Sequence, residues 1–152
     1  MCIRDSVRTK GGLGNTYKNG AANALDYSRA LRYPGECRWL RALAKFRLSD
    51  CARALRLSDN PPGGFFRFFS GDASAAGVLF NADGCLCAPK IFAAFNPSSE
   101  SAEVPVPDCL CSFRQIADID GFSPGGLDGL RIVPEGGAIT LPPVSLGVWA
   151  GV

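Results

Sequence analysis

The 152 residues suffice for one ordinary domain, or for a small domain with a piece of another. Hydrophobic residues make up 47% and charged residues 20%, a balance that buries a core and excludes disorder for the chain as a whole. The net charge is +2 with Lys and Arg scattered, so neither nucleic acid nor an acidic membrane is expected as a partner. No run of about 18 apolar residues is present to span a bilayer. Histidine is absent altogether. That removes the commonest general acid/base, the Ser–His and Cys–His pairs and the usual zinc ligand. Chemistry complete within this chain would have to run on carboxylates, Lys, Tyr or thiols.

In chain order, the first six residues, Met1-Cys2-Ile3-Arg4-Asp5-Ser6, resemble the translation of a transposon-type sequencing adapter and are set aside from fold reasoning. The natural N-terminus is then expected to lie upstream, so the lack of a signal peptide leaves the compartment open, with the cytoplasm slightly favoured. Val7 to Pro34 is rich in Gly, Asn and Tyr and reads mostly as loop. Its cluster Gly11-Gly12-Leu13-Gly14-Asn15 lacks the preceding strand and following helix that a phosphate-binding loop requires.

Pro34 to about Arg56 reads as helix, with Asp50 to Leu57 as a second short helical turn. Pro34 suits the first turn, and Glu36 suits the positive end of the helix dipole. Trp39, Leu40, Leu43 and Phe46 make one apolar stripe, expected to pack on a neighbouring sheet or barrel. Asp59-Asn60-Pro61-Pro62-Gly63-Gly64 ends the helical region. Short strands follow at close spacing: Phe65–Phe69, Ala76–Phe80, Ile91–Phe95, Ala102–Val106, Cys111–Ile116, Leu130–Val133, Ala138–Leu141 and Leu146–Ala150. Turn residues separate them, as at Asn81-Ala82-Asp83-Gly84 and Asn96-Pro97-Ser98-Ser99. The near-continuous apolar run Ile91–Phe95 predicts a central strand. The whole pattern predicts a mainly β fold, an antiparallel sandwich. Phe65–Phe69, Ile91–Phe95 and Leu146–Ala150 are expected to fill its core from both sheets, and the part from Phe65 onward to fold on its own.

Of the seven cysteines, four form the pairs Cys85/Cys87 and Cys109/Cys111. On strands, each C-x-C pair would point to one face, and four thiolates could hold zinc. The spacing is weaker than that of two C-x-x-C knuckles, so small half-buried thiols in a β domain are the simpler reading.

The run Val7-Arg8-Thr9-Lys10-Gly11-Gly12-Leu13-Gly14-Asn15-Thr16-Tyr17, then Asn23-Ala24-Leu25-Asp26-Tyr27-Ser28-Arg29, is similar to a stretch reading R-T-K, glycines, N-S-Y, then N-x-[IL]-D-[WY]-S. Arg32-Tyr33-Pro34 through Leu57 resembles a helix that follows such a stretch, and Ile91-Phe92-Ala93-Ala94-Phe95-Asn96-Pro97-Ser98 resembles a V-x-F-N-x-S strand. Together these blocks resemble the pullulanases, α-glucan debranching enzymes of glycoside hydrolase family 13 in the α-amylase clan, where the strand belongs to the C-terminal β domain. Two departures stand out. Gly20-Ala21-Ala22 occupies the place of a frequent acidic residue, and Ser49-Asp50-Cys51 that of the usual S-H-P.

The resemblance implies that residues 7–60 are the end of a catalytic (β/α)8 barrel, a loop and the last helix, and that residues 61–152 are the antiparallel C-terminal β-sandwich. It implies a parent that cleaves α-1,6 branch linkages in starch, glycogen or pullulan, with an α-glucan polysaccharide as its partner. A retaining glycosidase needs a carboxylate nucleophile and a carboxylic acid about 5–5.5 Å apart. Such barrels carry these groups at the C-terminal ends of their strands. In the family they precede the R-T-K block, so no catalytic residue is assigned to this chain, and no metal ligand or cofactor either; calcium in the parent is left open. The loop after a barrel strand faces the active-site mouth. There, amide and phenol groups hydrogen-bond sugar hydroxyls and a Tyr face stacks on a pyranose ring. The candidates are Asn15 and Tyr17, then Arg8, Asn23 and Asp26. The competing role for the same side chains is to staple a long loop.

A free-standing carbohydrate-binding module is the alternative from another class. It requires exposed aromatic residues on one sandwich face, with Trp149 and Phe65–Phe69 as the candidates. A metal-binding module built on the C-x-C pairs is a third.

Overall fold

The computed structural model describes residues 12–14, 16–24, 26–57, 59–128 and 137–151. Two compact units divide between Ala44 and Lys45. The first is helical. Helices α1 (Gly20–Asn23), α2 (Ser28–Arg32) and α3 (Pro34–Leu48) follow one another, α3 running on into the second unit. The segment read as loop from the sequence thus contains two short helical turns. The first is capped by Asn19, which accepts the Ala22 N–H at 3.0 Å, and the second follows a turn in which Asp26 accepts the Ser28 N–H at 3.0 Å. A single capped turn has no periodicity to betray it in the sequence.

Helix α3 stops at Leu48, and the short turn expected after it is a separate 3-10 helix. Ser49 is extended, and the chain resumes as a 3-10 helix over Asp50–Leu55. Ser49 Oγ donates to the Phe46 carbonyl at 2.6 Å, the local hydrogen bonding that lets serine compete with the helix ladder.

The second unit is antiparallel β. Strands β1 (Phe66–Ser70), β2 (Ala76–Phe80), β3 (Ile91–Asn96), β7 (Ser145–Gly151) and β5 (Phe113–Ala117) form one sheet in the order β1-β2-β3-β7-β5. Strands β4 (Ala102–Pro105) and β6 (Ala138–Leu141) pair as a second sheet. The apolar run of β3 is central, as its composition predicts. The three segments expected to fill the core from both sheets all lie in the larger one. The expected strand from Cys111 begins at Phe113, after a 3-10 turn over Asp108–Ser112. The expected strand Leu130–Val133 falls outside the described residues.

The five-stranded sheet buries side chains on both faces. On the inner face, Leu79, Phe92, Ala94 and Trp149 pack with Ala102, Val104, Ile139 and Leu141 of the small sheet. This is the sandwich core. Two glycines make room for its rings: the Phe92 ring comes within 2.7 Å of where a Cβ on Gly77 would sit, and the Trp149 ring fills the place of one on Gly147. On the outer face, Ile91, Ile116 and Ala150 pack with Phe65 and with Phe46, Ala52 and Ala54 of the helical segment before the strands. The strands from Phe65 onward are therefore not closed by themselves. One end of their outer face is covered by residues 46–55.

Asn96 joins the two sheets at one end. Its Nδ2 donates to the carbonyls of Glu100 (2.7 Å), Leu141 (3.3 Å) and Pro142 (2.9 Å). Its Oδ1 accepts from Ser98 N (3.0 Å) and Ser98 Oγ (2.8 Å). At the other end Asn81, at φ +58, accepts from Leu86 N at 3.0 Å and donates to the Leu86 and Ala88 carbonyls at 3.1 and 2.9 Å. It closes the bend between β2 and β3.

Candidate functional site

The loop before α3 carries the residues singled out for sugar contact. Thr16, at 6% exposure, anchors it. Its Oγ1 donates to Asn23 Oδ1 at 2.9 Å, and Asn23 Nδ2 returns a hydrogen bond to the Thr16 carbonyl. The Asn19 N–H also donates to that carbonyl, at 2.8 Å. Residues 16 to 23 thus form a closed bend with Tyr17 at its tip, 74% exposed. The Lys18 ammonium stands 5.5 Å from the Tyr17 ring centroid, within cation–π reach.

Tyr17 therefore presents a ring and hydroxyl to solvent, beside a cation that can donate hydrogen bonds. Asn23 faces the opposite way, into the loop's own hydrogen bonding. Asp26 accepts from Ser28 N at 3.0 Å and from Ser28 Oγ at 2.6 Å. Those two hydrogen bonds hold its carboxyl below the ordinary value, side chain first, with Arg29's charge adding to them. It is an ionised turn carboxylate at neutral pH. Arg8 and Asn15 lie outside the described residues. The structure thus gathers Tyr17 and Asn23 into one bend and places Asp26 on the next turn. The anchors Thr16, Asn19 and Ser28 were not singled out from the sequence. The D-x-S spacing of Asp26 and Ser28 was the one signal available for them.

The C-x-C pairs are not on strands. Cys85 and Cys87 lie exposed in the bend closed by Asn81, and Cys109 sits in the 3-10 turn before β5. Partial desolvation, followed by Asp83's hydrogen bond and charge, pushes the Cys85 thiol up, so it stays protonated at neutral pH. Among the described residues no three His, Cys, Asp or Glu side chains gather as a metal site. No described helix is long and apolar enough to cross a membrane.

Trp149 is not a surface platform: it is 1% exposed, inside the sandwich. Of the Phe65–Phe69 run, Phe65 is fully buried and Phe69 packs on the core, whereas Phe66 and Phe68 are 39% and 76% exposed.

No protein-family model matches the sequence, and no curated protein does. Solved structures do match. The catalytic module of SpuA, described as a multi-modular glycogen-degrading pneumococcal virulence factor, matches over 87% of this chain with TM-score 0.67 and 14% identity. The Group B Streptococcus pullulanase SAP, solved in complex with maltotetraose, matches over 87% with TM-score 0.61 and 15% identity. A pullulanase from Bacillus acidopullulyticus matches over 96% with TM-score 0.67 and 17% identity. The chain spans 20%, 19% and 17% of those structures respectively. The fold, a mainly antiparallel β unit with few helices, is thus one found within pullulanases.

Proposed function

We propose that this chain is the C-terminal part of a pullulanase-type glycoside hydrolase that cleaves α-1,6 branch linkages in starch, glycogen or pullulan. In this reading residues 7–60 end the catalytic barrel, residues 61–152 form the sandwich behind it, and the catalytic carboxylates lie upstream. The observation that carries it is the match to the Bacillus acidopullulyticus pullulanase over 96% of the chain, helical segment included. The R-T-K and N-x-[IL]-D blocks sit in that helical segment and its approach, which lends the reading support from the sequence.

Within it, the bend at residues 16–23 contributes to a sugar subsite. Tyr17 stacks on or hydrogen-bonds a glucose unit, with Arg8 and Asn15 as further contacts. Asn23 and Asp26 hold the bend's shape. The complete gene product, incubated with a branched α-glucan, should lose α-1,6 linkages by proton NMR. Its Tyr17→Ala variant should show a raised KM with a smaller change in kcat. Cleavage confined to α-1,4 linkages would replace the debranching assignment, and an unchanged KM would remove Tyr17 from the subsite.

One observation favours the second reading, a carbohydrate-binding module. The Phe66 and Phe68 rings stand side by side on an edge strand, with centroids 6.2 Å apart and planes at 33°. Against it, the strand positions on the same side of this end of the sheet are apolar except for Ser70. Sugar hydroxyls need hydrogen-bond partners that such a surface does not offer. Binding of maltotetraose by the isolated chain, lost in Phe68→Ala, would decide for the module.

A further inference from the structure

Strand β1 is an edge of the five-stranded sheet, paired with β2 on one side only. At its end the Gly71 N–H donates to the Ala75 carbonyl at 2.9 Å, so those two residues are a hydrogen-bonded pair of the ladder. Such pairs alternate along antiparallel strands. Arg67 and Phe69 therefore aim their backbone groups at β2, and Phe66, Phe68 and Ser70 aim theirs away from the sheet. The Gly151 N–H bond to the Lys90 carbonyl, also 2.9 Å, fixes the same alternation from the far side, through β7, β3 and β2. Among the described residues no hydrogen bond takes up the outward N–H and C=O groups. Every side chain of β1 except that of Phe69 is exposed. The strand has no proline and no bulge, and Arg67 is its one charge. An edge with so few of the usual guards is a template for another strand.

We propose that this edge pairs with the same edge of a second copy of the chain, antiparallel, about a two-fold axis midway between the two Phe68 residues. In that register Phe68 faces its own copy and Phe66 faces Ser70. The outward residues then meet only one another, and each facing pair exchanges both of its N–H···O bonds. Charge selects this register. Arg67 falls opposite Phe69, whose ring centroid its guanidinium already approaches to 5.2 Å within one chain, so the ring meets a cation from either side. Sliding the axis to Arg67 would set two guanidinium groups directly opposite, a destabilising like-charge pair. On the outer face the Phe66 and Phe68 rings, 6.2 Å apart, meet those of the other copy across the seam. The same patch thus complements itself, as a closed two-fold dimer requires. A seam one strand long is small, so the dimer dissociates on dilution. The proposal stands apart from the parent reading, since it uses only groups of this chain.

The test is sedimentation equilibrium of the 152-residue chain over a concentration series, joined to amide hydrogen exchange by NMR at both ends of that series. The expected result is a reversible monomer–dimer equilibrium in which the Phe66, Phe68 and Ser70 amides exchange severalfold more slowly at high concentration. Arg67 and Phe69, already bonded to β2, should be slow throughout. Phe68→Pro removes an outward N–H and no ladder bond, a place where an edge strand tolerates proline. It should abolish the dimer and leave the melting temperature of dilute protein little changed. A monomer at every concentration would overturn the proposal. A dimer without the alternating protection would overturn it in favour of contact through a sheet face, and assemblies that keep growing beyond two copies would overturn the closed two-fold pairing. Unchanged dimerisation of a folded Phe68→Pro variant would do the same for the edge. If that variant fails to fold, the exchange pattern of the unmodified chain still decides.

Discussion

Asn96 shows how one side chain can fix a fold. It is 1% exposed and its amide closes onto three carbonyls, two of them across the sandwich, at the end of β6 and on the residue after it. Replacing it with Ala leaves those buried acceptors short of a donor, at about 1–3 kcal/mol for such a group. Asn96→Ala is expected to lower the unfolding free energy by about 2–4 kcal/mol in urea titrations. A loss within experimental error would mean that the sheets are held by apolar packing alone. The N-P-S run around Asn96 was legible in the sequence as a turn. Its partners across the sandwich were not, because they lie some 45 residues away. At Asp26 the sign of the pH effect follows from its lowered pKa. The carboxylate–Ser28 interaction contributes fully above the unfolded-state value and is lost as pH falls through the folded one. Ser28→Ala should raise the Asp26 pKa in an NMR titration. No change would show that another group holds the carboxylate. Arg8 and Asn15 were named from sequence blocks alone, without a periodic pattern to place them.

Helix α3 is built for two environments. Its stripe was readable from spacing, but Trp39, Leu40 and Leu43 are only half-buried, while Phe46 is 5% exposed. Phe46 meets Phe122 edge-on, with ring centroids 5.4 Å apart at 66°. Truncating such a ring costs about 3–5 kcal/mol. Phe46→Ala should therefore cost the second unit far more stability than Leu43→Ala, as read from the midpoint of thermal or urea unfolding. Equal losses would mean that the stripe is buried as a whole. The second turn after Ser49 was legible as a short helical piece, but its 3-10 form was not, because nothing in the local pattern separates an α turn from a 3-10 one. Trp149 was claimed both by the expected core segment Leu146–Ala150 and by the alternative module. Its strand partners, Phe92 and Gln115, and its burial decide for the core.

For the molecule as a whole, strand positions were largely legible, because period-2 patterns and Gly/Pro turns are local. The partition into a five-stranded and a two-stranded sheet was not, since pairing order is a long-range property. That partition changes what should fold independently. Removing residues 1–44 leaves the cover of Ile91, Ile116 and Ala150 in place, and cooperative unfolding is expected to persist. Removing residues 1–60 strips Phe46, Ala52 and Ala54 from that core, and the transition should broaden and fall. Indistinguishable melting curves for the two truncations would show that the helical cover is dispensable. The parent reading is tested most directly by reducing-sugar release from pullulan, measured on the isolated chain and on the complete gene product. The expected result is release by the complete product only, because the parent reading puts the carboxylates that a retaining glycosidase requires upstream of this chain. Release by the isolated chain above a heat-killed control, or none by the complete product, would contradict it.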